Sequence, residues 1–159
     1  MTVMKVMLNL LFILFSFVHA NSQNSIDRSA FYKVLASGTI VDLEAQLSTV
    51  EGSAINEKNA YQGTLLMKKA QLVSKPKDKL KLFKTGRSKL ESSISSDKGN
   101  TEYRFLRLIT QEHAPKIVKY RNNLEEDSKL IRSNFKGLSQ ILQQIISDYS
   151  KKSNILKIN

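Results

Sequence analysis

Apolar residues after position 26 recur at spacings of three and four, with little alternation of period two, and this predicts a chain built of helices. Ala30, Phe31, Val34 and Leu35 mark a first short helix. Ser37 and Gly38 stop it, and the glycine is expected to supply a left-handed cap. Ile40, Leu43, Leu47 and Val50 share one face of a second helix ended by Gly52, so the first two elements form a candidate hairpin. A third helix is predicted over 55–73, with Ala60, Gly63, Leu66, Met67, Ala70 and Val73 as its inward stripe. The small members of that stripe admit a close neighbour.

Ser74, Lys75 and Pro76 break the third helix, and Pro76 suits the first turn of a fourth reaching 95. Asp97 to Asn100 reads as a turn in which Asn100 caps a fifth helix, 101–112, carrying Phe105, Leu106, Leu108 and Ile109. Ala114 and Pro115 close it, because a residue before proline is pushed out of the helical region. The pattern resumes over 117–135 through Tyr120, Leu124, Leu130 and Ile131, with a break near Asn122 and Asn123, and stops at Lys136 and Gly137. A last helix from Leu138 places Ile141, Leu142, Ile145 and Tyr149 on one face, after which the tail either frays or docks through Ile155 and Leu156. The expected fold is all-α, an antiparallel array of six or seven short helices.

The first twenty residues follow a different logic. Lys5, an apolar run from 7 to 18 and Val18-His19-Ala20 have the order of a secretory signal peptide cleaved after Ala20. The run is short for a membrane span and ends in Asn21-Ser22-Gln23-Asn24-Ser25. The expected organisation is a leader, 1–20, and one helical domain, 21–159, with 21–26 and 150–159 as loose ends. Secretion or periplasmic residence follows, with no transmembrane helix in the mature chain.

Composition narrows the chemistry. The 159-residue chain has no cysteine, which excludes disulfides, thiolate metal sites and thiol nucleophiles. Its 25 basic and 14 acidic residues give a net charge of +11, so anionic partners are favoured by the long-range field. No nucleophile elbow, phosphate-cradling glycine loop or dinucleotide fingerprint is present. His113 is the one histidine outside the leader and has no ligand partner at metal-binding spacing, so no metal and no cofactor are expected. Glu125, Glu126 and Asp127 form the acidic cluster, and with Asn123 as N-cap Glu126 falls at the capping-box position. A structural role is expected of them.

Residues 89–103 resemble the junction between two tetratricopeptide repeats. Leu90 stands at the large position, Ser93 at the small one, and Asp97 to Asn100 at the inter-repeat turn, with Lys98 where proline is usual. Helical hairpins are what this resemblance implies. Residues 103–108 and 148–153 are similar to small exported helical proteins of flavobacterial type without assigned activity, which implies export and a helical fold and supplies no mechanism.

The remaining candidates are basic. Lys77, Lys81 and Lys84 share one face of the fourth helix, read as opposite to Leu80, Phe83, Leu90 and Ile94, and would form a cationic ridge. Arg87 falls between Leu80 and Ile94 in the apolar stripe. It is expected to pair with an acid such as Glu102 or Glu112 on the next helix, to snorkel out along its stem, or to face a groove with Arg107 and hold a carboxylate or other anion. These readings lead to a non-catalytic exported interaction module that binds a protein or peptide partner in the cell envelope. The alternative is a binder of anionic surfaces, with membrane or glycan ahead of nucleic acid. An enzyme would instead show a deep pocket gathering Glu112, His113 or the acidic cluster.

Overall fold

A computed structural model describes residues 26–158. The expected leader lies outside the described residues, as does the N-terminal end up to 25. Seven α-helices and two 3-10 turns make up the described fold, and no strand occurs among the described residues. The helices are α1 (Arg28–Ser37), α2 (Ile40–Gly52), α3 (Lys58–Leu72), α4 (Pro76–Ser96), α5 (Thr101–His113), α6 (Leu124–Asn134) and α7 (Gln140–Ser150). The 3-10 turns are Lys116–Val118 and Phe135–Gly137, on either side of α6.

Local chemistry sets most boundaries. Asp27 caps α1 by accepting from the Ala30 amide at 3.1 Å. Thr39 and Asp42 form a reciprocal capping box on α2, satisfying two amides that the helix itself leaves free. Pro76 occupies the first turn of α4, and Asn100 caps α5 through the Tyr103 amide at 3.1 Å. Gly38 departs from expectation, for its φ of −67° and ψ of 147° are extended rather than left-handed. Glycine is still required for space, because a Cβ there would stand 2.5 Å from the Val34 carbonyl oxygen.

The predicted 117–135 helix is a 3-10 turn, a linker and then α6, because Lys119 adopts a left-handed conformation at φ 46°. Asn123 begins α6, but its side chain donates to Glu126 Oε2 instead of accepting from a backbone amide, so the capping box does not form. Gln111 holds this linker from α5, accepting from the Asn123 amide and donating to its side-chain oxygen.

α3 and α4 make the most extensive helix pair of the fold. Their backbones meet at Gly63 and Gly86: a Cβ on Gly63 would lie 2.6 Å from the Gly86 oxygen, and one on Gly86 would strike Gly63 and Met67. Only glycine fits at that crossing. α5 runs through the middle, where Phe105, Leu106 and Leu108 are fully buried and Tyr103, Arg104 and Arg107 nearly so. α7 turns Leu142 and Ile146 inward, whereas Ile141, expected on the inner face, is exposed. The tail docks rather than fraying, and Leu156 is wholly buried. No helix among the described residues is long and apolar enough to cross a membrane.

Candidate functional site

α1, α3, α5, α7 and the tail enclose an open groove of about 800 Å³. Its floor is aromatic. The Phe105 ring lies between Tyr32 and Tyr149, at centroid distances of 5.6 and 5.4 Å, and Leu35, Ile109 and Ile145 extend the apolar surface. Each helix contributes through its own period, as Tyr32 and Leu35 do on α1 and Phe105 and Ile109 on α5. The rim is mostly cationic, with Asp148 its one exposed acid, held by Lys151 and Gln144. Lys33, Lys68 and Lys152 stand there with no carboxylate partner among the described residues.

Glu112 shapes one wall. Its Oε2 accepts from the Tyr149 hydroxyl and the Ser153 hydroxyl, both at 2.7 Å, and its Oε1 from the Asn154 amide at 2.6 Å. Partial burial opposes ionisation, but the donors from Ser153, Tyr149 and Asn154 outweigh it and hold the carboxyl below its ordinary range. The Tyr149 phenol is pushed up by burial and by the same carboxylate. Ser153 also accepts from the Ile155 and Leu156 amides, so this one hydroxyl organises the turn that seats Leu156. Neighbouring His113 is exposed and takes its Nδ1 to the Ile109 carbonyl oxygen at 2.9 Å. The groove thus gathers Glu112 and His113, but Glu112 is committed to holding the tail.

The two arginines expected to share an anion site are differently placed. Arg107 is buried and held at all three nitrogens: Nη2 and Nε donate to the two oxygens of Asp127 at 2.7 Å each, and Nη1 donates to Glu91 at 3.1 Å. Burial lowers its pKa, but Asp127 and Glu91 outweigh that and raise it above the ordinary value. Arg104 joins from the same helix, binding Asp127 at 3.1 Å and Glu126 at 2.9 Å. Asp127 is completely buried between them, so the acidic cluster serves a structural purpose by ion pairing more than by capping.

Arg87 is exposed, with its guanidinium 4.7 Å from the centre of the Tyr120 ring. It pairs with neither expected acid, since Glu112 holds the tail and Glu102 binds Arg28, Tyr32 and Tyr61. The reason lies at Gly86. The buried face of α4 runs through Phe83, Gly86, Leu90, Ser93 and Ile94, and a stripe centred on a glycine leaves Arg87 at its edge. Arg87 and Arg107 do line one small polar depression of about 210 Å³, but Glu91 already fills the anion's part there, accepting from Tyr120 and Arg107.

Lys77, Lys81 and Lys84 are exposed, as a ridge requires. Leu80 is not opposite to them. It is 52% exposed, three residues after Lys77 and four before Lys84, so it sits on the ridge itself.

No family model, curated protein or solved structure matches the chain. No group of three metal-ligating side chains occurs among the described residues. The groove was beyond the reach of sequence reasoning, because its floor joins side chains from α1, α5 and α7. Glu112 and His113 were its one visible signal.

Proposed function

We propose that this protein is a non-catalytic, exported interaction module that binds a protein or peptide partner in the cell envelope, and that the groove between α1, α3, α5 and α7 is where the partner seats. The observation that carries the reading is the pairing of an aromatic and aliphatic floor with three rim lysines that have no ion-pair partner among the described residues. Such a surface suits an extended segment with apolar side chains on one side and carboxylates on the other, the first desolvated against Phe105 and Ile109 and the second facing Lys33, Lys68 and Lys152. A volume of about 800 Å³ takes a few side chains rather than a whole helix. The non-catalytic reading draws support from Glu112, whose oxygens both already accept hydrogen bonds from the protein's own tail.

A photo-crosslinker placed in turn at Lys33, Ile145 and Lys129 tests this in envelope extracts. Capture of one common partner from the first two positions, and not from Lys129 on α6, is the expected result, and it persists at high salt because the floor is apolar. Capture only from Lys129, or none that survives salt, removes the groove from consideration.

A further inference from the structure

The outer half of α4 differs from the rest of the fold. Every residue over 74–81 is exposed, so the end of the α3–α4 hairpin stands clear of the body. Lys75, Lys77, Lys79 and Lys81 crowd this stretch against Asp78 alone, and Lys84 follows one turn on. None of these lysines has an ion-pair partner among the described residues. Amid the cations two large apolar side chains remain in solvent, Leu80 at 52% and Leu72 at 41%.

We propose that this hairpin end docks on an anionic lipid surface, with Leu80 and Leu72 entering the headgroup boundary and the lysines meeting phosphates around them. Charge complementarity chooses the sign of the partner, and the exposed leucines choose its kind. A duplex nucleic acid rewards the lysines and offers no apolar phase for a leucine. A bilayer interface rewards both, since lysine stems lie along apolar surface while their ammonium groups stay with the headgroups. The hairpin is stiff enough to present the pair, because its backbones are locked together at Gly63 and Gly86 further in. This surface is separate from the groove, so either can fail alone.

The test is flotation of the purified protein with phosphatidylcholine vesicles and with vesicles in which about a third of the lipid is phosphatidylglycerol. The readout is the ratio of anionic to neutral binding, which cancels affinity that does not depend on charge. The parent floats with the anionic vesicles. Lys77→Gln with Lys81→Gln lowers the ratio roughly 30-fold, at about fivefold per lysine, whereas Lys129→Gln with Lys136→Gln lowers it less than about threefold for the same change in net charge. Leu80→Ser weakens anionic binding about tenfold at physiological salt and melts like the parent. Equal losses from the two lysine pairs would reduce the effect to net charge and overturn the proposal. So would an unaffected Leu80→Ser variant, or a parent that binds a DNA duplex and neither vesicle.

Discussion

α4 and α5 are consecutive helices carrying basic residues among apolar ones, and they use their cations in opposite ways. On α5, Arg104 and Arg107 turn inward, where Asp127, Glu126 and Glu91 from α6 and α4 meet them at hydrogen-bond distance. On the outer half of α4, Lys77, Lys81 and Lys84 meet no acid among the described residues and remain in water. The difference is not in the helices' own sequences but in what packs on them. Where carboxylates converge, the planar forks of Arg104 and Arg107 each bind two of them at once, a geometry that an ammonium group does not match.

Removing the central acid breaks the comparison most directly. Asp127→Ala removes the buried acceptor that two guanidinium groups share, leaving Arg104 only Glu126 and Arg107 only Glu91 as acids, and is expected to cost about 4 kcal/mol in chemical denaturation. A loss below about 1 kcal/mol would mean that Arg104 and Arg107 reach water, as the α4 lysines do. Gly86→Ala attacks the contact that turns Arg87 to the edge of α4. The added methyl meets the Gly63 oxygen and Met67, and a cost of about 3 kcal/mol is expected. Full stability would show that the crossing has room for a methyl group.

Glu112→Gln, at the end of α5, is expected to cost about 2 kcal/mol, as three donors lose a charged acceptor. Its pH dependence has a definite sign. The folded-state pKa lies below the ordinary 4.5, so the carboxylate's contribution is complete above that value and disappears as pH falls through the depressed one. Protection of the Asn154 and Leu156 amides, taken as exchange relative to an unstructured peptide at the same pH, should fall in that acid window in the parent and not in the Gln variant. At the small end, Lys77→Gln with Lys81→Gln should change stability by less than about 0.5 kcal/mol. A larger loss would assign the ridge a role in the fold.

The helices were legible because their signals are local. Asp97 to Asn100, Pro76 and the 3–4 spacing of Leu43, Leu47 and Val50 each act within a turn or two, and the ends of α2 and α4 fall at or within a residue of expectation. The placement of Arg87 failed for an instructive reason. A hydrophobic pattern counts side chains, and the centre of the α4 face is a residue without one. The charge network failed differently: Asp127 meets Arg107 across twenty positions and Glu102 meets Arg28 across seventy-four, and no spacing rule reaches that far. Of the candidate residues, the exposed lysines were readable from helical geometry alone, and the buried Arg107 was not.

Hydroxyl chemistry links these sites in a way that light can follow. The chain has five tyrosines and no tryptophan. Four of the phenols donate to a carboxylate: Tyr32 and Tyr61 to Glu102, Tyr120 to Glu91, and Tyr149 to Glu112. For all five, desolvation first and neighbouring carboxylates next push ionisation above the ordinary value of 10.0. A raised folded-state pKa means that stability is intact below that value and drains away as pH climbs past it. In an alkaline titration followed by phenolate absorbance, the native protein should therefore stay silent where free tyrosine turns over. It should then release its phenolates together as the helices melt, which makes ultraviolet absorption a label-free clock for the breaking of its phenol–carboxylate pairs.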